Sequence, residues 1–141
     1  MKKLLFALFA LAFCGAASAQ QGKAPPVGLK GYDPVSYFTP GKAVRGASSI
    51  AYDFDDARYL FSTEKNKQLF AANPDKYTPQ FSGLCATGMG MDGGKYQADP
   101  NVFLVREGKL YVFSSADARA AAEKDPSLLR KAHEQWQKAK K

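Results

Sequence analysis

Short apolar runs separated by polar turn residues occur twice along the chain, and each pair of runs predicts an antiparallel β-hairpin. The runs that form the two hairpins are 50–54 with 58–61, and 102–105 with 110–113. Hydroxyl residues follow each hairpin where they can cap a helix, and apolar residues then recur at helical spacing. The pattern therefore predicts two hairpin-plus-helix units.

The two predicted units are related by a constant shift in sequence number. Residues 59–63 (YLFST) match residues 111–115 (YVFSS) at a shift of 52, and Pro74 corresponds to Pro126 at the same shift. We interpret this as a degenerate duplication, with a second unit at 102–126, and we expect both units to share one sheet and one core.

The remaining segments complete the predicted architecture. In the first unit, Ser62 or Thr63 caps a helix that ends at Asn73-Pro74, and residues 35–38 form a short extended segment before Pro40-Gly41. A last helix begins at Asp125-Pro126 and buries Trp136. The predicted fold class is α+β, a small single domain of short antiparallel hairpins, each followed by a helix, with a C-terminal helix.

The N-terminus has the pattern of a secretory signal peptide. Met1-Lys2-Lys3 is basic, residues 4–13 are apolar, and Ala17-Ser18-Ala19 is a small-residue cleavage site. The apolar run is too short to span a bilayer, which takes about 20 residues. We therefore predict a signal peptide at 1–19, a flexible lead-in at 20–28 and a domain at 29–141, exported to the periplasm or secreted.

Charge narrows the range of partners. The chain has a formal net charge of +7, which falls to about +5 when Lys2 and Lys3 leave with the signal peptide. A charge of that size favours solubility. Nucleic acid is not expected as a partner, because export removes it and because basic residues alternate with acidic ones instead of forming a stripe.

Cysteine is the residue type that bears most on chemistry. Of the two cysteines, Cys14 belongs to the predicted signal peptide, so the mature chain retains Cys85 alone. Oxidising compartments favour disulfides, but Cys85 has no partner within the mature chain. It is therefore buried, bound to a ligand, reactive or paired between chains.

Several short motifs together resemble the YHS-domain family. They are Asp33-Pro34-Val35, the aromatic run 59–61, the helix that contains Phe70, and residues 73–77 (NPDKY). The resemblance to exported, stand-alone members extends through residues 31–38 and 80–86, which gives a core motif at 31–86. The family implies a small α+β domain and a proposed role in metal binding, with copper as one candidate metal.

The metal-binding positions of the family carry different residues here. Metal-associated members have cysteines at three positions, and this chain has Ser36, Ser62 and Asn66 in their place. Hydroxyl and amide oxygens are poor ligands for a soft metal. The metal site that the resemblance implies is therefore absent from these positions.

A second set of soft ligands lies downstream. Cys85, Met89 and Met91 fall within seven residues, in what we predict to be a glycine-rich loop that can fold around an ion. Thiolate and thioether ligands suit Cu(I). His133, the only histidine, is a further candidate ligand, although it can equally be an ordinary residue of an amphipathic helix.

Three functions remain open from the sequence. The first is a non-enzymatic exported protein that binds Cu(I) through Cys85 and its methionines. The second is a metal-free interaction module in which Cys85 only packs and a ligand or protein contacts a polar-aromatic surface. The residues of that predicted surface are Tyr32, Asp33, Tyr37, Phe38 and Tyr96. The third is a thiol-redox enzyme, which would need a base beside Cys85.

Overall fold

The computed structural model describes residues 22–141, so the predicted signal peptide at 1–19 and the first two lead-in residues lie outside the described residues. The described chain has two hairpins, five helices and two short 3₁₀ segments. In chain order these are Gly28–Gly31 (3₁₀), β1 Ala47–Phe54, β2 Ala57–Phe61, α1 Glu64–Ala72, α2 Pro74–Tyr77, Gln80–Gly83 (3₁₀), α3 Ala86–Asp92, β3 Asp99–Arg106, β4 Lys109–Phe113, α4 Ala116–Lys124 and α5 Ser127–Ala139.

The α+β class and the C-terminal helix predicted from the sequence are confirmed. Strands β1 and β2 pair antiparallel, and so do β3 and β4. A helix follows each hairpin, and its first turn is capped as the pattern predicts: the Thr63 hydroxyl accepts a hydrogen bond from the Asn66 N–H, and the Ser115 hydroxyl accepts one from the Ala118 N–H, both at 3.1 Å.

The two hairpins do not share a sheet, so that part of the prediction is wrong. Each hairpin is a separate two-stranded sheet. The reason lies in the outer edges of β2 and β4, which pair with other segments of the chain. Val27 bridges β2 at Arg58, while Pro79 and Cys85 bridge β4. These bridges occupy backbone groups that a merged sheet would need.

The elements recur at a constant shift of 52 residues. Strands β1 and β2, helix α1 and the first 3₁₀ segment all have counterparts in the second half whose first and last residues lie 52 positions later. The 3₁₀ segments share an unusual backbone as well, because Leu29 and Phe81 have positive φ angles of 48° and 57°. Helix α5 departs from the pattern, since it has 13 residues and α2 has four.

Buried residues form three clusters. One cluster surrounds Phe70 of α1, whose ring lies within 6.5 Å of five other aromatic rings between centroids. A second joins β4 with α3, α4 and α5. The third lies between the two halves and contains Leu29, Tyr37 and Leu110. The halves are therefore held together by a shared apolar interface, although their strands do not pair.

The predicted extended segment at 35–38 is a turn instead, so this prediction is also wrong. The Asp33 carboxylate accepts a hydrogen bond from the Val35 N–H at 2.9 Å, and the Ser36 hydroxyl donates to the Asp33 carbonyl at 2.7 Å. Side-chain bonds of this kind favour turns over strands. They direct Tyr37 into the interface between the halves.

No helix among residues 22–141 is both long and apolar enough to cross a membrane.

Candidate functional site

The segment that follows Cys85 is a helix and not the glycine-rich loop expected from the sequence. Its glycines serve close packing. A Cβ atom at Gly88 would overlap the Tyr96 ring, and one at Gly90 would overlap the carbonyl oxygen of Leu128 on α5. Glycine therefore lets α3 approach α5 closely. This contact holds residues 86–92 in a helix, whereas the predicted loop would need a flexible backbone there.

The helical backbone separates the two methionines. Met89 is fully buried in the cluster that joins β4 to α3, α4 and α5, whereas Met91 is 70% exposed. Residues two apart on a helix point about 200° away from each other. The structure therefore does not bring Met91 together with Met89.

Cys85 lies immediately before α3 and is 2% exposed. Its Sγ atom lies 3.4 Å from Ser114 Oγ, to which the thiol donates a weak hydrogen bond. Met89 lies one helical turn further on and belongs to the same buried cluster. Of the predicted soft ligands, only Cys85 and Met89 are thus buried in one place.

His133 lies on α5, half-buried, and interacts with Tyr111 and Phe81. Its Nε2 atom is 3.0 Å from the Tyr111 hydroxyl, and its ring centroid is 4.9 Å from that of Phe81. Burial, and secondarily the charge of Lys109, lower the pKa of His133 below its usual value. Its hydrogen bond goes to Tyr111 and not to Cys85, so it does not act as a base for the thiol in this arrangement.

The predicted ligands Cys85, Met89, Met91 and His133 do not converge as a set of four. Among residues 22–141, no group of three or more His, Cys, Asp and Glu side chains is placed to hold a metal ion.

The positions at which the YHS family carries cysteines are occupied by a hydrogen-bond network around Asp33. This carboxylate is 0% exposed. Its Oδ2 atom accepts hydrogen bonds from the Ser62 N–H at 2.8 Å, the Ser62 hydroxyl at 2.6 Å and the Asn66 amide at 2.8 Å. Ser36, at the third position, bonds only to backbone atoms. Asp33 therefore joins the first turn of the chain to the start of α1.

Asp33 and Cys85 occupy equivalent places in the two halves. They are 52 residues apart, and so are their hydroxyl partners, Ser62 and Ser114. The carboxylate has further donors in its half, whereas among the described residues the thiol hydrogen-bonds to the side chain of Ser114 alone. A weakly polar group needs fewer partners when buried. This equivalence is consistent with a packing role for Cys85.

The predicted polar-aromatic surface is only partly a surface. Asp33 is buried in the network just described and Tyr37 is 2% exposed, so the structure places neither of them on a surface that a partner could contact. The Tyr37 hydroxyl donates to the Pro100 carbonyl at 2.9 Å, and burial raises its pKa. Tyr32 and Phe38 are half-buried near it, while Tyr96 is exposed beside α3 and hydrogen-bonds to Asp92 at 2.7 Å.

A groove of about 580 Å³ lies between the two halves, and we call it the inter-unit groove. Both 3₁₀ segments, Gly28–Gly31 and Gln80–Gly83, contribute to its lining. One wall consists of the half-buried rings of His133 and Trp136, and each packs edge to face against Phe81, which is 3% exposed and backs the wall. The groove therefore combines a rigid aromatic wall with the polar groups of the hairpin turn and α5.

This groove was not predicted from the sequence. Trp136 was expected to be buried, but it is half-buried and lines the groove. The available signal was the spacing of His133, Trp136 and Lys140 on one helix, three and four residues apart, which places their side chains on one face. The contribution of Phe81 depends on its positive φ, for which its sequence context gives no indication.

Comparisons with protein-family models, with curated proteins and with solved structures find no match to this chain. The resemblance to YHS domains therefore stays a prediction that rests on the motifs quoted above.

Proposed function

We propose that the protein is an exported, non-enzymatic binding protein that holds a small polar ligand in the inter-unit groove. The observation that carries the proposal is the aromatic wall of Phe81, His133 and Trp136 along an open volume of about 580 Å³. Sites for small molecules have volumes of about 300–1,000 Å³ and combine aromatic walls with a few polar groups. Export rests on the predicted signal peptide.

The environment of Cys85 supports a binding role over thiol chemistry. A nucleophilic cysteine needs an exposed sulfur and a base within hydrogen-bond reach. Cys85 is buried, and the one histidine of the chain is bonded to Tyr111. The groove offers open space to a ligand, and Cys85 is not among its lining residues.

The test uses the fact that Trp136 is the single tryptophan of the chain. Cationic, anionic and neutral small molecules are titrated into the purified protein while tryptophan fluorescence and the melting temperature are followed. We expect at least one chemical class to change both. Trp136→Ala should abolish the rise in melting temperature, and the control Tyr96→Ala, an exposed aromatic residue outside the groove, should retain it. The proposal fails if no class shifts the melting temperature, or if Trp136→Ala responds like wild type.

Copper binding is a second candidate, favoured by the burial of Cys85 and Met89 in one cluster one helical turn apart. A thiolate and a thioether together suit Cu(I). Cu(I) titration against a chromogenic competitor tests it. Wild type should compete better than Cys85→Ser or Met89→Leu, and Met91→Leu should behave like wild type. Equal competition by wild type and Cys85→Ser would reject this candidate.

A further inference from the structure

The lining of the inter-unit groove includes several charged side chains. Asp55 and Asp56 of the β1–β2 turn and Asp75 of α2 line the same groove as the aromatic wall. Among the described residues none of these three carboxylates forms an ion pair. The groove therefore presents a ligand with three carboxylates that form no direct ion pair, together with aromatic rings.

Two lysines also line the groove, so its charged lining consists of three carboxylates and two ammonium groups and keeps an excess of negative charge. The Lys30 ammonium donates to the Ala98 carbonyl at 2.7 Å. The Lys140 ammonium lies 5.5 Å from the centroid of the Trp136 ring, on the helix that carries that ring. Lys140 is exposed and lies at the C-terminal end of α5, so it can leave the ring without disturbing the core.

The contact between Lys140 and Trp136 indicates the charge of the ligand group that the aromatic wall would bind. A cation over an indole face is attracted by the negative face of the ring, and tryptophan is the strongest of the aromatic side chains in this respect. An ammonium from the chain itself already takes up this position. An anionic ligand would meet the three carboxylates, whereas a cationic ligand would be attracted by them.

We infer that the ligand of the inter-unit groove is a small organic cation, an amine or quaternary ammonium, which takes the place of the Lys140 ammonium over Trp136. Its positive group contacts the indole face, and the carboxylates of Asp55, Asp56 and Asp75, which line the same groove, attract its charge. This inference rests on the proposed function and adds the ligand class to it.

The experiment compares probes that differ in charge and little in shape. Choline, its neutral carbon isostere 3,3-dimethylbutan-1-ol and the anion 3,3-dimethylbutanoate are titrated against the purified protein, with Trp136 fluorescence as the readout. We expect choline to bind about tenfold more tightly than the neutral isostere, and the anion to bind more weakly than both. Equal binding of choline and its isostere, or no binding of choline, would overturn the cation class.

Two sets of variants test the roles of the residues. Lys140→Gln removes the ammonium that competes with choline for the Trp136 ring, so this variant should bind choline several-fold more tightly. Lys138 lies outside the groove, and the control Lys138→Gln should bind choline like wild type. Replacement of Asp55, Asp56 and Asp75 by Asn should weaken choline binding and leave the neutral isostere unchanged. If Lys140→Gln binds choline like Lys138→Gln, or if the Asn replacements leave choline binding unchanged, these residues do not have the roles we infer.

Failure of the cation class is distinguishable from failure of the proposed function. If choline does not bind but neutral or anionic molecules of the panel shift the melting temperature through Trp136, the groove is a binding site of another class. If no molecule of any class does so, the proposed function fails as well.

Discussion

Asp33 is the residue whose role is most clearly defined by its contacts. A buried carboxylate is costly unless hydrogen bonds replace its hydration, and Asp33 obtains them from Val35, Ser62 and Asn66. The same residues that would have suggested a degraded metal site thus form a complete polar network. Among the described residues, every fully buried side-chain nitrogen and oxygen has a hydrogen-bond partner.

Replacing Asp33 should therefore be strongly destabilising. Asp33→Ala leaves the Ser62 and Val35 N–H groups and the Asn66 amide without their acceptor, at a cost of roughly 3 kcal/mol in the free energy of unfolding. Urea denaturation followed by circular dichroism measures the change. The control Asp56→Ala removes an exposed carboxylate and should leave the midpoint near that of wild type. Equal stability of the two variants would refute the structural role of the network.

Cys85 should react slowly in the native protein. Its sulfur is buried next to Ser114, in the cluster that joins β4 with α3, α4 and α5. An alkylating reagent therefore reaches the sulfur only after the protein opens locally. Mass spectrometry should show that iodoacetamide modifies the thiol much more slowly in buffer than in 6 M urea, about the concentration that unfolds small domains. Equal rates in the two conditions would show that the thiol is accessible.

Helix α3 shows at the scale of one element how packing decides the role of a sequence motif. The sequence of residues 85–91 (CATGMGM) predicts a loop, because glycines allow the backbone to fold tightly around an ion. The close approach of α5 favours a helix instead, since only a residue without a side chain fits at position 90 against Leu128. The helix then determines that Met89 packs inward and Met91 points to solvent.

The two methionines should accordingly differ in their effect on stability. Met89→Ala removes a fully buried side chain and should lower the free energy of unfolding by about 2–5 kcal/mol. Met91→Ala removes an exposed side chain of the same size on the same helix and should leave it nearly unchanged. The difference between the two urea midpoints is the measurement. Similar losses in both would mean that α3 is packed differently.

Local sequence patterns predicted the hairpins and their helices well because those elements depend on neighbouring residues. Turn residues such as Asp55-Asp56 lie where the β1–β2 connection is observed, and Thr63 caps α1 as expected. Predictions failed where distant contacts decide: the edge of β2, covered by Val27, and the burial of Tyr37 at the interface between the halves. The groove was missed for the same reason, because its walls come from both halves.

At the scale of the whole molecule, the two halves consist of similar elements and are joined by an apolar interface. They differ in their last helix, which is α2 after α1 in the first half and α5 after α4 in the second. Helix α2 has four residues, whereas helix α5 has 13 and places His133 and Trp136 in the lining of the groove, with Lys140 directly after its last residue. The repeated unit thus forms the scaffold, and the helix that departs from the repeat lines the groove that we propose as a binding site.

The stability of the whole fold should depend on pH through His133. Burial, with the charge of Lys109 as a smaller cause, lowers its pKa in the folded protein below the ordinary value of 6.5, so the unfolded chain takes up a proton first as the pH falls. The contribution of His133 to stability is thus complete above pH 6.5 and declines as the pH drops through that value. Tyr111 and Phe81, which also face the ring, stay uncharged throughout this range.

Urea denaturation at pH 7.5 and pH 5.5 checks this expectation. Exposed carboxylates such as Asp92 and Asp125 take up protons only below this pH range, because hydrogen bonds lower their pKa values. Wild type should unfold at a lower urea concentration at pH 5.5. His133→Gln cannot be protonated and can still hydrogen-bond to Tyr111, so its midpoint should change less between the two pH values. If the variant keeps the full pH dependence of wild type, the destabilising proton binds elsewhere and His133 does not limit the stability of the groove wall.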